Sequence, residues 1–230
     1  MDHNDKKIIR LAKKGDAKSQ FLIASEMFFT GAEPLKKNNE IVGWIEGTRS
    51  CFVGKEPRKD NSEVVEWLEK SSNGGLVEAK NLLGMLYMHG EGVKKQVRKG
   101  LALVVEAARL GFSEAQYNLA LIHLRGFGVK KSPENAVYWL KKDEDKRELD
   151  STYLLGCMYF AGYGVEKDKY LAASLINRAI RYGFDDKWGV LEYILEDIAY
   201  EYNNGYEVNE SDSDLDCVLN AMNELEFYFR

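Results

Sequence analysis

The chain has 230 residues, of which 45% are hydrophobic and 30% charged, and a formal net charge of −5. That balance can close a folded core and excludes wholesale disorder, and the mild acidity excludes the basic stripe that nucleic-acid binding requires. Three scattered cysteines, Cys51, Cys157 and Cys217, match neither a zinc site nor a disulfide framework, and three prolines leave long helices possible.

The N-terminal stretch MDHNDKKIIRLAKKGD has no apolar run long enough for a signal peptide, and no later stretch reaches membrane-spanning length. A cytoplasmic location with no membrane partner is therefore expected. A first helix opens at Asp16-Ala17-Lys18-Ser19-Gln20-Phe21, with Ser19 and Ala24 at its small positions. Its partner helix comes only at residues 62–72, with Trp67 and Leu68 on the apolar side. Between them lies an insertion over residues 35–59 that holds Trp44, Cys51 and Phe52. Insertions in repeat arrays gather on one face, often the binding face, which makes Trp44 a candidate contact. The alternative is a short helix over 39–46 that covers the N-terminal end.

Three segments then line up, at residues 78–111, 114–142 and 150–183. Corresponding residues are 36 apart: Gly84, Ala120 and Gly156; Tyr87, His123 and Tyr159; and the elements Gly90 to Val93, Gly126 to Val129 and Gly162 to Val165. The first half of each segment places small and apolar residues at helical spacing, as with Ala79, Leu83, Gly84 and Tyr87. Each paired glycine ends that helix, because glycine tolerates the left-handed conformation that closes one. The valine that follows is expected to tuck between helices. A second helix carries Leu103, Ala107 and Ala108, then Ala136, Trp139 and Leu140, then Ala172, Leu175, Ile176 and Ala179, and Gly111 and Gly183 end two of these. Such hairpins bury their apolar faces only by stacking on neighbours.

In the middle unit Asp143 and Glu144 replace an Ala-Ala pair, so its second helix is expected to end early and wet. After Gly183, residues 186–202 read as one more first helix, residues 207–216 are acidic and turn-like, and a last amphipathic helix carries Val218, Leu219, Met222, Leu225 and Phe229. That tail reads as a cap on the core, with a flexible acidic arm as the alternative.

The repeated residues resemble the Sel-one-like repeat family, relatives of the tetratricopeptide repeats. The pattern A-x-x-x-L-G-x-x-Y-x-x-G-x-G-V is met by Ala79, Leu83, Gly84, Tyr87, Gly90, Gly92 and Val93, and the later half by Lys99, Ala107, Ala108 and Gly111. In the third unit Asp168, Ala172, Arg178, Ala179 and Gly183 fit the same half. Residues and resemblance together imply an all-α fold. It is a right-handed α/α solenoid of about four to five helical hairpins with atypical capping ends. Residues 1–230 form one array, with the clear repeats over 76–183 and a half-repeat plus cap over 184–230.

The resemblance implies that the first helices line a concave groove. The contact residues would then be Met85, His89, Tyr117, Leu121, Arg125, Tyr153 and Phe160. Core packing is an equal alternative for Leu121 and Phe160. A column of Glu78, Glu114, Asp150 and Asp186 recurs every 36 residues. It suits the positive end of a helix dipole, and it would also edge the groove for a basic partner.

No catalytic, cofactor or metal site is expected. His123 occupies a core tyrosine position, and the glycine pairs follow helices rather than strands, so they are turns and not phosphate loops. The function expected is binding of another protein. One version is a bacterial immunity protein that neutralises a toxic effector, another a scaffold or adaptor in signalling or secretion. A hydrolase reading would need the paired cysteines of some relatives, which this chain lacks.

Overall fold

The computed structural model describes residues 3–30, 61–144, 149–186 and 189–204. Among them there are ten helices and no strand: α1 (His3–Lys13), α2 (Ala17–Thr30), α3 (Ser62–Asn73), α4 (Val77–His89), α5 (Val97–Arg109), α6 (Ser113–Arg125), α7 (Pro133–Glu144), α8 (Leu149–Ala161), α9 (Lys169–Arg181) and α10 (Val190–Asn204). The chain belongs to the class of α/α solenoids built from helical hairpins. It divides into two compact units, Met1–Ala115 and Gln116–Arg230.

In the first unit α1 packs on α2, α2 on α3, α3 on α4 and α4 on α5. The core gathers Phe21, Ile23, Ala24 and Met27 from α2, Val64, Val65 and Leu68 from α3, and Leu82, Leu83 and Leu86 from α4. Val93, from the turn after α4, packs against that core as its position predicts. In the second unit α7 packs on α8, α8 on α9 and α9 on α10, around Leu140, Leu154, Leu155, Phe160, Ile176 and Ile194. The delayed second helix of the first hairpin is thus α3, as expected.

The hairpins are copies at the level of single hydrogen bonds. The Gln96 amide donates to the Tyr87 carbonyl at 2.7 Å, Ser132 to His123 at 2.9 Å, and Asp168 to Tyr159 at 3.0 Å. Each bond ties the start of a second helix to the end of its first, at positions one repeat apart. Second helices also end alike. Amide to carbonyl bonds run from Leu76 to Ser71, Phe112 to Ala107 and Phe184 to Ala179. Gly75, Gly111 and Gly183 hold φ of 90°, 89° and 104° there, the left-handed conformation of a helix stop.

Helix α1, which the spacing argument does not assign, ends in the same way. The Asp16 amide donates to the Leu11 carbonyl, and Gly15 has φ 94°. Helix α1 therefore stands where a second helix stands. At the other end α10 begins four residues later than expected, because Asp186 caps it. The Val190 and Leu191 amides donate to Asp186 Oδ1 and Oδ2 at 3.1 and 3.0 Å.

One expectation is overturned. Asp143 is not at a wet helix end: it is fully enclosed, and Ser151 Oγ donates a hydrogen bond to its Oδ2. The insertion at 35–59, with Trp44, and the capping segment beyond residue 204 lie outside the described residues.

Candidate functional site

The glycine turns are joints between successive hairpins. Gly90, Gly126 and Gly162 have φ of 77°, 73° and 63°, and Gly92, Gly128 and Gly164 have 62°, 74° and 74°. In the first unit the Asn61 amide donates to the Gly92 carbonyl at 3.0 Å, and Asn61 Nδ2 donates to the Glu91 carbonyl at 3.0 Å. The turn after α4 is thus held on the start of α3, the preceding second helix. In the second unit a Cβ at Gly164 would run into the backbone of Pro133, at the start of α7. The same joint recurs, and there it admits only glycine.

Burial at this joint pushes the Glu91 carboxyl up to about 6. A carboxyl with a raised native pKa keeps its proton where the unfolded chain has lost it. Its favourable contribution is complete below the usual 4.5 and is lost as pH rises through about 6. Glu91→Gln is therefore expected to leave stability near pH 4.5 unchanged and to raise it by about 1 kcal/mol at pH 7.5. Thermal unfolding at the two pH values reads this directly, and equal shifts at both would refute it.

Much of the anticipated contact row turns inward. Met85, Leu121, Tyr153 and Phe160 are buried, at 4%, 3%, 0% and 0% exposure. The reason is that α4 is flanked by α3 and α5, and α8 by α7 and α9, so few sides of a first helix stay open. Phe160 meets Tyr193 edge to face at 5.9 Å, and Tyr153 stacks on Phe184 at 4.2 Å. His89, Tyr117 and Arg125 remain half-exposed.

The row and the acidic column prove to be two halves of one device. Asn81 Nδ2 donates to Glu114 Oε1 at 3.3 Å, and Tyr153 Oη donates to Asp186 Oδ1 at 2.8 Å. Both bonds span 33 residues, from a first helix to the acid that starts the next one. The matching pair in the middle repeat is Tyr117 and Asp150. Phe21, at that place before Glu78, carries no polar donor. Glu78, Glu114 and Asp150 sit half-buried in the first turns of α4, α6 and α8, where the helix dipole favours them. The sequence offered a signal for this, the donor-to-acid spacing, beside the 36-residue period.

A second polar link joins three helices. Tyr87 Oη donates to Glu69 Oε1 at 2.8 Å, and Lys99 Nζ donates to both, at 3.1 Å to Glu69 and 2.9 Å to Tyr87. The tyrosine hydroxyl, with the lysine beside it, holds the Glu69 carboxyl below its usual range. The equivalent of Tyr87 in the next repeat is His123. Burial lowers its pKa, which keeps the imidazole neutral near pH 7, as a packing residue should be. Among the described residues no group of acids, histidines and cysteines is placed to hold a metal, and no helix is long and apolar enough to cross a membrane.

Comparison with known proteins agrees with this geometry. The model of the Sel1 repeat matches residues 17–41, 77–112, 113–142 and 149–183, together more than half of the chain. A Sel1 repeat protein from Oxalobacter formigenes is similar in structure, with a TM-score of 0.51 and 26% identity over 55% of this chain and 95% of that one. The protective antigen c5321 of uropathogenic Escherichia coli, which displays an SLR fold, aligns with a TM-score of 0.56 and 24% identity, and shares the fold. That alignment covers 97% of this chain and 49% of c5321, so the chain spans about half the length of that antigen. No curated protein matches the chain.

Proposed function

This chain belongs to the Sel1 repeat family, whose repeats build protein-interaction modules, and we propose that it is a non-catalytic binder of another protein. The observation that carries the proposal is the fate of the recurring polar groups. Asn81, Tyr153, Glu114 and Asp186 hold successive helices together, and Tyr87, Glu69 and Lys99 do the same. Their chemistry is used inside the array. What a partner meets is surface, and on the first helices that surface includes the half-exposed Tyr117 and Arg125 of α6. They lie about two turns apart on one side of that helix. Tyrosine and arginine are the side chains most often found at the energetic centres of interfaces.

The proposal takes two forms. A neutralising, immunity-type role requires one toxic effector, held tightly in a fixed ratio. An adaptor role in signalling or secretion requires several weaker partners. Affinity purification of the full chain with mass spectrometry separates them. With the recovered partner, Tyr117→Ala combined with Arg125→Ala is expected to weaken binding by about tenfold or more while the helical circular dichroism is kept. Unchanged affinity in a folded double variant would remove the first-helix surface from the proposal.

A further inference from the structure

Among the described residues, no helix covers the face of α1 that every other second helix has covered. Val104 and Ile176 mark that face, because a Cβ at Gly84 would touch Val104 and one at Gly156 would touch Ile176. It is the side on which a second helix receives the first helix of its own hairpin. Leu68, Val104, Leu140 and Ile176 occupy its central position, and all are fully enclosed. The same position in α1 is Ile8, which is only half-buried. One turn later Ser71, Ala107, Asp143 and Ala179 are all at 0% exposure, whereas Leu11 of α1 is 37% exposed. The chain keeps Leu11 exposed on this face, beside Ile8, which packs only partly against the core.

The border of this face is cationic. Lys7 and Lys14 flank Leu11 and are exposed. Past them an open depression of about 420 Å³ is lined by Lys6, Ile9, Arg10, Lys13 and Lys14. This concentration of positive charge belongs to a chain whose net charge is −5.

We propose that the Ile8 and Leu11 face of α1 binds an amphipathic helix of a partner protein in the place of a first helix, with acidic residues along the flank that meets Lys7 and Lys14. The hairpins of this chain specify the rest of the fit. Their first helices present Gly84, Ala120 or Gly156 to this face, so the incoming helix carries a small residue at its centre. Opposite charge steers and registers the helix, and the apolar contact holds it. A symmetric pairing of α1 with α1 of a second copy would set like charges against each other.

The test uses the full chain and a labelled helix-forming peptide of about four turns. The peptide has a central alanine, a leucine one turn to each side, and glutamates on one flank. A second peptide has lysines in place of the glutamates. Fluorescence anisotropy is expected to give saturable binding of the acidic peptide, with the basic one weaker by about tenfold or more. Leu11→Glu is expected to weaken the acidic peptide about tenfold, whereas Lys94→Glu, on the turn after α4, changes it less than about twofold. If Leu11→Glu loses helical signal, Lys7→Glu with Lys14→Glu carries the same test on exposed side chains. Equal binding of the two peptides, no binding, or indifference to these variants would overturn the proposal. So would a Leu11-dependent dimer in sedimentation, or capture by anionic vesicles in place of the peptide.

Discussion

Replacing Ser151 by alanine is expected to cost about 2 kcal/mol of stability, and replacing Asp143 by alanine as well is expected to restore it. Asp143 is fully enclosed between α7 and α8, and the Ser151 hydroxyl donates to its carboxylate. Removing that donor takes from an enclosed carboxylate a hydrogen bond that water cannot replace there. One repeat earlier the corresponding residues are Ala107 and Ala115, both fully enclosed. The double variant therefore reinstates a packing that this fold already uses. Buried polar pairs replaced by well-packed apolar residues are often neutral or stabilising. The expected result is a double variant at least as stable as the natural chain, by urea denaturation of all four forms. A neutral Ser151→Ala, or a double variant less stable than Ser151→Ala, would show that the hydroxyl does not support the carboxylate.

That pair also marks where sequence reasoning stops. A 36-residue period and the glycine turns are properties of the chain read in one dimension, and they were sufficient to place α2 to α9. Spacing alone does not place Asp143, because charge at a helix end normally means solvent and the compensating Ser151 stands in a different helix. Tyr153 escapes the spacing argument for a related reason. An aromatic on a first helix can face outward or reach the next repeat, and only the partner acid at Asp186 decides between them. Helix α1 was not assigned because its lysines hide a short apolar pattern of Ile8, Ile9 and Ala12, and Gly15 gives a stop without a recognisable start. Residues that face another helix of the same hairpin are legible from spacing. Residues that answer to a neighbouring repeat are legible only once the repeats are stacked.

Gly100→Ala is expected to destabilise the first unit by about 1–3 kcal/mol, although alanine is the better helix former. Two effects oppose each other. Inside α5 the exchange gains about 1 kcal/mol of helix propensity. Against that, a Cβ at Gly100 would press on the Gly84 carbonyl oxygen and lie 2.8 Å from the Met88 amide nitrogen. Those are backbone atoms of α4, so no rotamer change relieves the contact and the two helices must separate. Separation thins the packing at the crossing, where Val104 meets Gly84 and Met88 meets Gly100 in a well-filled interior. Gly156→Ala provides the contrast. Its Cβ would meet chiefly the Ile176 side chain, at 2.6 Å, and that flexible group can shift. The middle repeat carries Ala120, fully buried, at the position of Gly156, so the fold accepts alanine there. Thermal unfolding is therefore expected to rank the natural chain and Gly156→Ala together, with Gly100→Ala clearly below both. A Gly100→Ala variant at or above the natural midpoint would mean that propensity outweighs the close approach of α4 and α5.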